Sequence, residues 1–187
     1  MRQIWCTDFD GCKWALRGLV CLALSSGMAL GAASAQAQCW QEAAERYHID
    51  PLLLYAIAEV ESGLRNDARN INLDGSYDIG LMQINSRHLP RLASFGITEA
   101  RLSTEACTSI MAGAWILAQF IQKMGYGWQA VGAYNAGGAS DRGFLRERYA
   151  QKVWRHYGVL LRQRDVLIAA RETEKQLAAM RSARYQE

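Results

Sequence analysis

Apolar positions recur along most of this chain at steps of three and four, broken by short stretches rich in turn residues. The pattern predicts a first helix over residues 40–47. "HIDP" interrupts it, with Asp50 placed to cap the next helix and Pro51 in its first turn. That second helix is apolar on nearly all sides from Leu52 to Val60, and it should end at Glu61 or Ser62, before Gly63. Residues 66–76, "NDARNINLDGS", read as turns. "YDIGLMQIN" alternates poorly, and fits either a short strand or an irregular crossing. A long periodic helix is expected over residues 104–124, stopping at Gly125, and a further one in "WQAVGAYNAGG", closed by Gly137 and Gly138. From Arg146 the chain turns polar and basic, with 10 Lys/Arg against 5 Asp/Glu. Val153, Tyr157, Leu160 and Leu161 keep a helical spacing there, so this tail either packs back on the domain, docks elsewhere, or is a solvated helix.

Size and composition narrow the choice. With 187 residues, half of them hydrophobic, the chain suits one ordinary domain. A net charge of +3 gives no reason to expect nucleic acid. Arg2, Lys13 and Arg17 precede an uncharged run, "GLVCLALSSGMALGAA", and then "ASAQAQ" with its small residues. This is the pattern of a secretory signal peptide, so residues 1–37 are expected to be removed on export and no stable membrane span to remain. The expected division is a signal at 1–37, a domain at 38–145 and a basic helical tail at 146–187. Export leaves Cys39 and Cys107 as an even pair in an oxidising compartment. A bond between them would be worth about 4 kcal/mol in the chain-entropy model; the alternative is two buried thiols.

The candidate chemistry begins at Glu61. Steps of three and four put Leu54, Ile57, Ala58 and Glu61 on one helix face, with Glu59 pointing roughly the other way. A carboxyl at the rim of a core is poorly solvated, which raises its pKa toward what a general acid needs. The bland alternative is a helix-ending glutamate that reaches water. Asp74, Asp78, Gln83 and Asn85 follow closely, and two carboxylates in unlike environments are the usual equipment for cleaving a glycosidic bond. Tyr134 and Asn135 can hydrogen-bond a sugar or position the acid. Trp115, Tyr126 and Trp128 suit either sugar faces or the core. His48, His88 and His156 lack metal-ligand spacing, and no phosphate-binding loop or nucleophile motif is present, so neither a metal nor a cofactor is expected.

Glu61-Ser62, "GLMQIN" (80–85) and "AYNAGG" (133–138), in that order, resemble the motifs of the soluble lytic transglycosylase family. The resemblance runs from about residue 39 to 138. It is nearest to the small exported members that accompany type III secretion, type IV pili and conjugation, which have a similar cysteine pair. "DGSYDIGLMQINSR" is also similar to a stretch of animal c-type lysozymes, with Asp78 where those enzymes carry their second carboxylate.

The resemblance implies a mainly α-helical, lysozyme-like domain of two lobes, with a small irregular or β segment lining the cleft. It implies action on the β-1,4 bond between N-acetylmuramic acid and N-acetylglucosamine in peptidoglycan, in the periplasm. Glu61 would be the acid and then the base, and Asp78 the stabiliser, or the nucleophile of a lysozyme-like hydrolase. Ser62, Gln83, Asn85, Tyr134 and Asn135 would hold the sugar or the backbone around it, Tyr134 by bonding the acid or an N-acetyl group. The implied partners are glycan strands and components of a secretion, pilus or conjugation machine. A catalytically silent wall-binding module is the reading from another class, and the presence of Glu61 argues against it.

Overall fold

The computed structural model describes residues 36–184. The expected signal segment lies almost wholly outside the described residues. A first helix, α1, covers residues 36–47. Helix α2 is Pro51–Ser62. Asp50 caps it through its side chain, which accepts from the Leu52 N–H at 2.8 Å. Gly63 ends it in the left-handed conformation (φ 61°). Three short antiparallel strands follow, β1 (Arg69–Ile71), β2 (Tyr77–Ile79) and β3 (Ile84–Asn85), in the order β1-β2-β3. Four more helices follow: α3 (Leu89–Ala93), α4 (Glu99–Thr104), α5 (Ala106–Met124) and α6 (Trp128–Ala136). A last, long helix, α7, runs from Gly143 to Arg184. The fold is thus mainly α-helical with one small sheet.

The core gathers from α2 (Leu54, Ile57), the segment 79–84 (Ile79, Leu81, Met82, Ile84), α5 (Ile110, Leu117) and α7 (Val153). All of these side chains are almost fully buried. Cys39 and Cys107 form a disulfide, their Cα atoms 5.3 Å apart across 68 residues of sequence. It joins α1 to the start of α5. Among the described residues, no helix is long and apolar enough to cross a membrane.

Two features differ from the pattern-based expectation, and a third settles an open one. The helix expected from residue 104 is two helices: Thr104 ends α4, and α5 starts at Ala106 after an extended Glu105. The segment 77–85 is both of the things it was compatible with. It forms two strands joined by an irregular turn, because Gly80 (φ 73°) and Gln83 (φ 48°) both take left-handed backbone. And the chain does not change character at residue 146. α7 crosses that point unbroken, and Tyr149, Ala150 and Val153 are buried.

The first turns of α7 lie against α2. Tyr149 and His156 of α7 bond Glu61 and Glu59 of α2, and Tyr157 bonds its cap, Asp50, so the two helices run in opposite directions. From residue 162 to 184 every residue of α7 is exposed.

Candidate active site

A cleft of about 660 Å³ opens between the sheet and the helices. Glu61 reaches it from the end of α2, Asp78 and Asn85 from the sheet, Phe120 from α5, and Tyr134 and Asn135 from α6. Six of the seven residues expected at the sugar therefore share one concave surface: Glu61, Asp78, Gln83, Asn85, Tyr134 and Asn135.

Glu61 owes its position to the helix period. It continues the inward face of Leu54, Ile57 and Ala58, all of them buried. Glu59 faces α7, where its carboxylate meets His156 Nδ1 at 3.2 Å. Glu61 Oε1 accepts a 2.5 Å hydrogen bond from the Tyr149 hydroxyl. Burial pushes the Glu61 carboxyl up to about 7; Asp78's charge adds to the rise, while Tyr149's bond and the charge of Lys152 pull against it. A carboxyl that keeps its proton near neutral pH can donate it.

Asp78 is placed by strand register. In the β2–β3 pair it stands directly opposite Asn85, whose Nδ2 donates to Asp78 Oδ1 at 2.8 Å. Asn72 Nδ2 donates to the other oxygen at 3.1 Å. Asn72 comes from the β1–β2 turn, which is closed by Asp74 accepting from the Ser76 N–H and hydroxyl. The second carboxylate is thus held between two amides.

The turn at 80–83 has a third kind of construction. Its backbone polar groups are met by side chains from three helices rather than by a ladder. Ser62 of α2 donates to the Leu81 carbonyl at 2.7 Å. The Met82 N–H donates to Ser109 of α5 at 3.0 Å, and Tyr134 of α6 donates to the Met82 carbonyl at 2.7 Å. Gln83 Nε2 donates to the carbonyls of Ala68 and Gly80, which holds its left-handed backbone in place. Gly80 has no room for a side chain, since a Cβ would strike the Leu102 carbonyl.

These bonds separate the expected roles. Ser62 is buried, and its hydroxyl is committed to the turn rather than aimed into the cleft. Tyr134 lines the cleft but its hydroxyl goes to Met82, not to the acid. The acid's phenol partner is Tyr149, which sequence reasoning passed over. One signal pointed to it: Tyr149 lies four residues before Val153, at the head of the apolar spacing in the tail. Trp115, Tyr126 and Trp128 are not among the residues lining the cleft. Trp115 is half-buried beside His88 and Phe95, and Trp128 is an exposed ring set edge-on to Trp154. Among the described residues, no group of three His, Cys, Asp or Glu side chains could hold a metal ion.

The chain is similar to several known proteins. The invasion protein IagB of Salmonella typhimurium (strain SL1344) is 48% identical over 124 residues, 66% of this chain and 78% of that protein. Protein IpgF of Shigella flexneri is 45% identical over 122 residues, covering 65% and 80%. The X polypeptide of Escherichia coli is 37% identical over 172 residues, covering 91% and 96%. Among solved structures, an inactive mutant of the lytic transglycosylase Slt from Pseudomonas aeruginosa superposes with a TM-score of 0.54 at 23% identity over 67% of this chain, a likeness of fold. The matched part is 24% of that enzyme's length. The transglycosylase SLT domain matches residues 38–157, from α1 through the turns of α7 that carry Tyr149. The chain belongs to the transglycosylase SLT domain family.

Proposed function

We propose that the protein cleaves the β-1,4 bond between N-acetylmuramic acid and N-acetylglucosamine and closes a 1,6-anhydro ring on the muramic acid. The observation that carries this is a carboxyl, Glu61, buried enough to titrate at about 7 and opening into a cleft that also holds Asp78. Glu61 gives its proton to the glycosidic oxygen as that bond breaks. The anomeric carbon then carries oxocarbenium character, which the Asp78 carboxylate offsets. Glu61, now a carboxylate, takes the proton of the muramyl 6-hydroxyl, and that oxygen bonds the anomeric carbon. The acid is restored, and no water is consumed.

Tyr149 fixes which oxygen does this. Its hydroxyl occupies Oε1, so Oε2 is left for the substrate. Burial and the neighbouring Glu61 keep the Tyr149 phenol well above its usual range, so it remains a donor throughout. Asn72 and Asn85 hold Asp78 in place. Ser62, Gln83 and Tyr134 shape the wall through the 80–83 turn, and Asn135 is the amide that faces the sugar.

Two readings of Asp78 lead to different products. As a stabiliser it supports the anhydro product; as a nucleophile it supports hydrolysis. Digestion of purified sacculi followed by mass spectrometry separates them, because the anhydro product is one water lighter. The expected product is the lighter one. The heavier one shows hydrolysis, the outcome that the nucleophile reading of Asp78 requires, and release of nothing by the wild type overturns the enzymatic reading. The setting is the periplasm, after export through residues 1–37. There the enzyme would open the wall for a secretion, pilus or conjugation apparatus, in keeping with a relative named as an invasion protein.

A further inference from the structure

A groove of about 270 Å³ runs between the start of α6 and one face of α7. Trp128 and Gln129 of α6 line it, with Glu147, Ala150, Gln151 and Trp154 of α7, and none of these residues borders the cleft. On α6, seven residues, about 10 Å of helix rise, separate Trp128 in the groove from Asn135 in the cleft. The four α7 residues fall at steps of three and four, hence on one face. Buried Ala150 is the floor. Trp128 and Trp154 are the walls, 39% and 52% exposed. Their rings meet at 81° with centroids 5.1 Å apart, and Tyr157 packs against both. Tyr157 is itself held by its 2.8 Å bond to Asp50 Oδ2. Exposed indoles fixed in this way lose little freedom when a ligand arrives.

The polar groups beside the rings narrow what the groove can hold. Gln129 Oε1 accepts from Arg146 Nε at 3.1 Å, which leaves the N–H groups of that amide as donors. Gln151 Nε2 donates to Glu147 Oε1 at 3.3 Å, which leaves Glu147 Oε2 and Gln151 Oε1 as acceptors. No cation is among the lining residues, so an anionic ligand finds no partner there. An apolar protein helix would cover the carboxylate and both amides without pairing them. A sugar fits on every count: flat faces of C–H bonds for the indoles, edges of hydroxyl and amide groups that both give and accept hydrogen bonds, and no charge. We propose that this groove binds sugars of the glycan backbone away from the bond being cut, as a non-catalytic site that keeps the enzyme on its polymer. This rests on the glycan-cleaving reading, which names the polymer. Such a site acts by raising the effective concentration of strand at the cleft. Two aromatic contacts are expected to be worth about fivefold to tenfold in retention.

The first measurement is NMR on the full-length protein carrying Glu61→Gln, so that the ligand is not consumed. Glycan strands stripped of peptides by an amidase should shift the indole N–H signals of Trp128 and Trp154, assigned through Trp128→Phe and Trp154→Phe. No Trp lines the cleft, so these two signals report the groove, and both rings are present whether or not an alanine variant folds. The second measurement is retention on protease-cleaned sacculi. Trp128→Ala combined with Trp154→Ala should weaken it by the stated factor and leave kcat/KM on short soluble strands unchanged. Trp128→Tyr with Trp154→Tyr should recover most of the retention. Indole signals that ignore the strands overturn the site. So do signals that move with protein concentration alone, which assign the groove to a second copy, and retention that vanishes once the sacculi are cleaned of protein, which assigns it to a protein. An Ala pair held as firmly as the wild type overturns it too, as does one that loses equally on soluble strands, where the rings serve the fold. In all these cases muropeptide release by the wild type leaves the glycan-cleaving reading standing. Shifted indoles in a wild type that releases nothing keep the groove as a glycan site and overturn that reading instead.

Discussion

At the scale of the residue, the site is a contest over one proton. Burial favours the neutral form of Glu61, and the Tyr149 hydroxyl and Lys152 favour the charged form. Burial wins, which leaves a fingerprint in stability. The folded carboxyl titrates at about 7 and the unfolded one in the ordinary glutamate range. Between those values the folded state holds the extra proton, so stability falls as pH rises through the window. Glu61→Gln removes that dependence. The variant should melt higher than the wild type at pH 8, by at most about 3 kcal/mol, with the advantage gone at pH 4. Its release of muropeptides should drop by roughly two to four orders of magnitude, while Glu59→Gln keeps most activity. Tyr149→Phe removes a bond that favours the carboxylate. The Glu61 pKa should then rise, and a pH–rate profile should show its alkaline limb moved upward, along with a lower maximum. Glu61 could be read from sequence because its argument is local: a helix period and an apolar run. Tyr149 could not be read that way, because its partner lies 88 residues away.

At the scale of the element, the informative parts are those where regular structure stops. The strands are two or three residues long, too short for an alternating pattern to show. What fixes the 80–83 turn is a set of side chains from α2, α5 and α6, and bonds of that kind leave no periodic trace. Hence the motif "GLMQIN" was recognisable while the purpose of its neighbours was not. Ser62 and Tyr134 looked like sugar contacts and are bound to backbone. The seam between α6 and α7 is similarly hidden. Gly132 sits inside α6, where Ala would gain about 1 kcal/mol of helix propensity. A Cβ there would lie 2.7 Å from Arg146 Cα, and backbone cannot step aside as a side chain does. The clash should win. Gly132→Ala is expected to lower stability by roughly 1–3 kcal/mol in urea unfolding, where propensity alone would raise it.

At the scale of the whole molecule, helix content and the cleft were expected and found. The place where the domain gives way to its tail was set by composition at residue 146, whereas packing continues through Tyr149 and Val153. Basic residues on the outer face of α7 masked the apolar ones on its inner face, since a charge count averages both. Chains ended at two points should therefore behave differently. A chain stopped after Leu161 loses exposed residues, and should keep its melting point and its activity on sacculi. One stopped after Arg148 loses Tyr149 and Val153, and should lose both.

The far end of α7 has one more consequence. From Gly158 onward the sequence contains neither another glycine nor a proline, so the projecting stretch has no built-in hinge. Its 23 exposed residues extend about 34 Å. Whatever grips the tip of this boom sets the radius at which the cutting edge can work.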